Sequence, residues 1–303
     1  MLRIPNDDYV NVSYRVAELK RTPPSTPVVY LFGGSGTMEM MRSEAVLAEA
    51  ISADGHTDVR VVSLAAHAQS MGETLALIDN LPKGHGLLAI GLSPNRLVAA
   101  PAADADQLSG SPLALTSPHL AAALGARTAV HKRLPGLLPG FFDFVISYLN
   151  QRVITRSPNL LPISYSSHYY GDGPVASIAA KKTGGLVELE RERPQFDANI
   201  AYNLAVLSAA VRLGRAKGYG VTLFEQPLGP EASGPQWDSY LATYRADVEG
   251  VRRASRVPDI EVQPRADLNI DDFADLFHLV NSGRDKWTPL LARGLARVLE
   301  CSG

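Results

Sequence analysis

Two short stretches of the chain carry residues whose types and spacing could do covalent chemistry. Gly33-Gly34-Ser35-Gly36-Thr37 follows directly on an apolar run, and Asp275-Leu276-Phe277-His278 lies near the C-terminal end. Small neighbours around a serine, Gly34 foremost, let a substrate approach the backbone. At the carboxyl end of a parallel strand such a serine stands where open α/β sheets place their ligands. Free N–H groups at the start of a following helix favour a developing oxyanion. An Asp and a His three apart share one face of a helical turn. The carboxylate can then orient the imidazole, and the imidazole can take the proton of a serine hydroxyl. The chemistry this suggests is acyl transfer, with Ser35 as nucleophile, His278 as base and then acid, and Asp275 orienting His278.

Each stretch also has a plainer reading. The glycine turn suits an ordinary strand-to-helix connection capped by Ser35, and the Asp275/His278 pair suits a solvated acid beside a His in a capping turn. Two phosphate-binding readings fail on sequence. Gly34-x-Gly36 begins a dinucleotide fingerprint, but Glu39 stands where its last glycine belongs and no acid ends the next strand. A P-loop needs a Lys-Ser/Thr pair after the turn, and none follows. The serine and the late Asp-x-x-His together are more specific than either alone.

Composition narrows the field. The chain has 303 residues, 46% apolar and 20% charged, as in an ordinary globular protein. Its net charge of −2 argues against a non-specific nucleic-acid binder. The single cysteine, Cys301, excludes a disulfide framework, a zinc ribbon and a cysteine-ligated cluster within the chain. It also leaves no thiol nucleophile outside the tail. His56, His85, His119 and His131 show no metal-ligand spacing, so no metal and no cofactor is expected. No signal peptide or membrane-spanning stretch is visible; the most apolar segment, 134–149, is too short to span a bilayer and contains Pro135, Pro139 and Asp143.

The elements that would position these residues follow from the apolar pattern. Continuous apolar runs at 28–32, 59–64, 87–92 and 221–224, with a weaker one at 260–262, suit strands buried on both faces. Helical periodicity appears at 38–52, 73–81, 198–217, 235–254 and 285–299. Strands alternating with helices predict an α/β fold, a three-layer α/β/α sandwich around a parallel sheet. One domain over 1–303 is expected, with 99–195, rich in proline and glycine, as an inserted lid or subdomain. Within it, 137–153 reads as a buried helix or as an amphipathic lid or membrane-surface helix.

An early serine with a late Asp-x-x-His resembles the SGNH (GDSL-like, flavodoxin-like) hydrolase family. That family's first block reads Gly-Asp-Ser, and here Gly34 replaces the acid. Its second block supplies a glycine N–H to the oxyanion hole; Ala68 falls nearest that glycine. Its third block reads Gly-x-Asn-Asp; here Gly91-Leu92-Ser93-Pro94-Asn95 has one extra residue and a proline. The fourth block, Asp275 and His278, matches fully. The match covers 26–98 and 196–300, outside the insertion. It implies a serine esterase or O-acyltransferase with an oxyanion hole from Ser35, Ala68 and Asn95, acting on a small ester or an acylated carbohydrate. The glycine turn and Leu77-Ile78-Asp79-Asn80-Leu81-Pro82 look closer to a branch with D-alanine transfer proteins and polysaccharide O-acetyltransferases, commonly anchored outside the cytoplasmic membrane. The degraded second and third blocks also fit a non-catalytic binding or accessory protein on the same fold. Beside Gly34, His67 and His168 are further candidates for substrate contact, although a structural or surface role is commoner for a histidine. Membrane contact is expected only through an upstream anchor or 134–153.

Overall fold

Four parallel strands form the centre of the molecule: β1 Val28–Phe32, β2 Arg60–Ser63, β3 Gly86–Leu92 and β4 Gly220–Glu225, in the order β2-β1-β3-β4. The computed structural model describes residues 8–55, 58–110, 117–125, 177–258 and 268–302. The strands match the four stronger apolar runs to within a residue at each end. The weaker run at 260–262 lies outside the described residues.

The helices, in chain order, are α1 Asp8–Arg21, α2 Ser35–Met38, α3 Glu44–Gly55, α4 Met71–Asn80, α5 Pro101–Gly110, α6 Pro118–Leu124, α7 Ile178–Ala216, α8 Pro235–Ser255 and α9 Asn281–Ser302. Successive strand side chains point to opposite faces. Val28, Tyr30, Phe32, Leu88 and Ile90 therefore join one core with Leu75 of α4, Leu207 of α7 and Tyr240 of α8. Val29, Leu31, Leu87 and Ala89 join the other with Leu47 of α3 and Leu291 of α9. Both faces need apolar residues, so the strand runs are continuous rather than alternating. The result is the expected three-layer α/β/α sandwich.

The sheet order creates the site. The β1-to-β2 connection passes through α3 on one face, and the β2-to-β3 connection passes through α4 on the other. Strands β2 and β3 thus flank β1, and the carboxyl ends of β1 and β3 part around a crevice, the usual ligand position in such sheets.

Two helices differ from their sequence patterns. The run at 38–52 is broken into α2 and α3, because residues 39–41 turn into the core between the sheet and α9. Glu39 is fully buried there and pairs with Arg284, and Met40 and Met41 pack beside it. The helix predicted over 198–217 starts earlier, at Ile178, and runs through Pro194, so it crosses position 195 without interruption. Within 99–195, α5, α6 and the first part of α7 are seen. The segment 134–153 lies outside the described residues, among which no helix is long and apolar enough to cross a membrane.

Candidate active site

Ser35 opens the one-turn helix α2 directly after β1 and Gly33-Gly34. His278 Nε2 lies 2.7 Å from Ser35 Oγ. On the other side of the ring, Nδ1 lies 2.7 and 2.8 Å from the two Asp275 carboxylate oxygens. A carboxylate can only accept, so Nδ1 carries the proton and donates it to Asp275. Nε2 is then left with a lone pair facing the serine O–H. This is the arrangement a general base needs.

The Asp275/His278 contact does not arise from a helical turn, as their spacing suggested. Both residues sit in an irregular loop closed by a bridge between Phe273 and Leu279, with Ala274 N donating to His278 O. The loop supplies its own reason for the geometry. Asp275 Oδ1 accepts from the N–H groups of Phe277 at 2.9 Å and His278 at 3.0 Å, an Asx turn that fixes the carboxylate against the ring. Burial works against ionisation of Asp275. The hydrogen bond to His278, its charge and the two backbone donors outweigh it and hold the carboxyl below its ordinary range.

The loop is docked on the serine turn. A Cβ on Gly36 would come within 3.1 Å of Phe277 O and 2.9 Å of Gln226 Oε1, so any larger residue there would have to displace the Gln226 side chain and crowd the loop carbonyl. Gly229 N also donates to Leu276 O.

The three residues expected to form an oxyanion hole come together around one cavity of about 440 Å³, within the range of small-molecule sites. Ser35, Ala68 and Asn95 all line it, as does Gly34. Among the described residues, the backbone N–H groups of Ser35 and Ala68 donate to no other group. Ala68 has a φ of 51°, a left-handed conformation that costs a side-chain-bearing residue roughly 1–2 kcal/mol. Asn95 Oδ1 accepts from Ser93 Oγ at 2.5 Å, which leaves its Nδ2 as the donor end. The extra residue and Pro94 are absorbed by a 3-10 turn at Pro94–Leu97.

Other lining residues were not singled out by sequence. Arg96 is buried and donates to Gly91 O at 2.5 Å, Thr74 Oγ1 at 2.7 Å and Gln69 O at 3.2 Å. It thereby ties the loop carrying Asn95 to the loop carrying Ala68. Burial pushes its guanidinium down to about 9, against the opposing charge of Glu73. Gln69 accepts from Gly33 N and donates to Leu64 O, holding the serine turn to the end of β2. The start of α4 is fixed by a reciprocal cap between Ser70 and Glu73, a pair that Ser-x-x-Glu does announce in sequence. From α7 come Arg191, Glu192 and Gln195.

The structure does not bring His67 to the cavity. It is exposed, as is its neighbour Ala68, but unlike Ala68 it is not among the lining residues. His168 lies outside the described residues. No cluster of His, Cys, Asp and Glu among the described residues could hold a metal ion. No family model matches the chain, and no curated protein matches it.

Proposed function

We propose that the protein is a serine-dependent acyl-ester hydrolase or O-acyltransferase of SGNH type, acting on a small ester or an acylated carbohydrate. The observation that carries this reading is Ser35 Oγ at 2.7 Å from His278 Nε2, with Asp275 on Nδ1. In the first half-reaction Oγ attacks the ester carbonyl carbon while its proton passes to Nε2. The carbonyl electrons move to oxygen, and that oxyanion is met by the N–H groups of Ser35 and Ala68 and by Asn95 Nδ2. The tetrahedral intermediate collapses, the C–O bond to the alcohol breaks, and His278 protonates the leaving oxygen. An acyl-serine remains. Water or an alcohol then gives its proton to His278 and attacks the acyl carbon. Collapse of this second intermediate returns the proton to Ser35. Asp275 keeps its own charge throughout and steadies the imidazolium. Water as acceptor gives a hydrolase, and a sugar or polyol hydroxyl gives a transferase.

Labelling with a fluorophosphonate tests this. Adduct on Ser35 in the native protein, and none in Ser35→Ala, is the expected result. A folded protein whose Ser35 never labels would overturn the enzyme and leave a non-catalytic binding or accessory protein on the same fold.

A further inference from the structure

Each of the three proposed oxyanion donors has a member of one buried polar network beside it in the chain. Gly33 stands two places before Ser35, Gln69 directly follows Ala68, and Arg96 directly follows Asn95. Gln69 and Arg96 are 1% and 4% exposed. Gln69 Oε1 accepts from Gly33 N at 3.2 Å and from Arg96 Nη2 at 3.4 Å, and lies 3.0 Å from Thr74 Oγ1. Arg96 Nη2 donates to Thr74 Oγ1 at 2.7 Å, Nε to Gln69 O at 3.2 Å, and Nη1 to Gly91 O at the end of β3 at 2.5 Å. The stem of Arg96 runs beside the serine turn, where a Cβ added at Gly34 would stand 3.8 Å from Arg96 Cδ.

We propose that Arg96 is a positioning residue of the oxyanion hole: it fixes the Ala68 N–H and Asn95 Nδ2 relative to the Ser35 turn and acts on the transition state through those donors. The proposal rests on the reading of Ser35 as an acyl-ester site and assigns the residue that holds its donors in place. Ala68 keeps a φ of 51°, and a strained residue persists only where its surroundings over-determine it. Here the turn is bonded on both sides, with Ala66 N donating to Gly33 O at 3.0 Å and Gln69 O accepting from Arg96. On the Asn95 side, Arg96 N donates to Ser93 O at 3.1 Å, closing the turn in which Ser93 Oγ orients the Asn95 amide. The acceptors of the guanidinium are all neutral oxygens, spread over the end of β3, the loop after β2 and α4. A planar fork with more N–H donors than an ammonium can reach all of them at once, and its charge strengthens each bond. Oxyanion donors work only at the place where charge develops, and a displacement of about 1 Å costs about a hundredfold in rate.

The test uses the full chain with p-nitrophenyl acetate as the ester. Arg96→Lys keeps the charge but loses the fork. Thr74→Val keeps the volume and removes the hydroxyl that joins Arg96 to Gln69. Arg96→Lys is expected to lower kcat about 10- to 100-fold with KM within about threefold. Thr74→Val should act in the same direction by about three- to tenfold. In an Asn95→Ala background the loss from Arg96→Lys should shrink by about threefold or more, because a donor already removed cannot be displaced. The pH dependence of kcat/KM should stay where it is, since the hydrogen bonds of Arg96 run to the loops and not to the triad. In a crystal structure of Arg96→Lys, Ala68 N or Asn95 Nδ2 should move by about 0.5 Å or more while Ser35 and His278 remain in contact. An unchanged kcat in both variants, a loss carried by KM, strict additivity with Asn95→Ala, or loops that superpose on the native ones would overturn the assignment. Fluorophosphonate labelling of native Ser35 is scored separately. Absence of labelling would defeat the acyl-ester reading, while the variant structure still decides whether Arg96 holds the two loops.

Discussion

His278 Nε2 and Ser35 Oγ stand 2.7 Å apart although 243 positions of chain separate them. The gap is closed from two sides. The loop carrying Asp275 and His278 lies against Gly36, where an added Cβ would stand 3.1 Å from Phe277 O. Just beyond the loop, α9 sends Arg284 back under the serine turn to Glu39. The serine turn and the Asp275–His278 loop are thus held to one another both at the site and beneath it.

Ser35→Ala removes Oγ and little else, since the side chain is only half-buried. Ester turnover is expected to fall on the order of a thousandfold or more. Stability should stay within about 0.5 kcal/mol, as for a small change outside the core. Steady-state kinetics beside urea unfolding separates the two effects. A variant that turns over ester at the native rate takes Ser35 out of the reaction.

Asp275→Asn tests the orientation of the ring. An amide NH₂ at this position faces Nδ1 as a donor, which moves the ring proton to Nε2 and removes the lone pair that should receive the serine proton. A loss of about 10²–10⁴ in kcat is expected, with KM changed far less. The same substitution has a pH signature. The native carboxyl is held below its ordinary range, so its contribution to stability is present above about pH 4 and is lost as pH falls through the folded value. In acid titration followed by circular dichroism, Asp275→Asn should lack that loss. An identical acid limb in both proteins would contradict the hydrogen-bond set drawn around Asp275.

Asn95→Ala removes the side-chain donor of the proposed oxyanion hole. Its Nδ2 is the free end of an amide whose oxygen is held by Ser93. Donors of this kind act on charge that develops in the transition state, so the expected loss is about 10²–10³ in kcat with KM nearly unchanged. A rise in KM at constant kcat would assign Asn95 to ground-state binding instead.

The parts legible in sequence are those with a local cause. Strands buried on both faces must be apolar throughout, so four runs announced β1 to β4. The serine turn and the Asp-x-x-His pair could be read because their chemistry needs particular residue types near one another. What escaped depends on distant partners. Residues 38–52 have helical periodicity, but a charge pair with a residue 245 positions away pulls Glu39 inward and breaks the helix. Nothing next to Arg96 in the sequence announces its burial, which comes from the carbonyls of Gly91 in β3 and Gln69 in the loop after β2. Glu192 sits in Glu188-Leu189-Glu190-Arg191-Glu192-Arg193, a run with every appearance of a solvated helix face, and its burial is what distinguishes it from the other charged residues there. The left-handed φ at Ala68 has no signal in an alanine.

The Glu39 and Arg284 pair can be taken apart and rebuilt. Neither side chain is reached by solvent. Arg284 also donates to Glu39 O at 2.9 Å and Asn281 Oδ1 at 2.7 Å, so its removal orphans several groups at once. Arg284→Met alone is expected to cost about 3–5 kcal/mol by denaturant unfolding, because it leaves an unpaired buried carboxylate. Glu39→Met with Arg284→Met should recover most of that, since apolar side chains of similar volume tolerate the same space. If the double variant is as unstable as the single one, the backbone contact to Glu39 O is the larger part of the anchor.

Glu192 gives a pH dependence of the opposite sign to Asp275. Burial and then the charge of Glu188 push its carboxyl up to about 7 in the folded protein, against an ordinary value near 4.3. A carboxyl raised on folding binds its proton more tightly in the native state. Stability is therefore fully present below about pH 4, falls as pH rises through about 7, and is lowest above it. Glu192→Gln has no charge to bury at any pH and should lack this slope. Near pH 4 the two proteins should unfold at similar urea concentrations. By pH 8 the variant should be more stable by up to about 3 kcal/mol. Parallel stability curves across that interval would mean that the ionised carboxylate is already satisfied in the folded protein, and its burial would then have no energetic consequence.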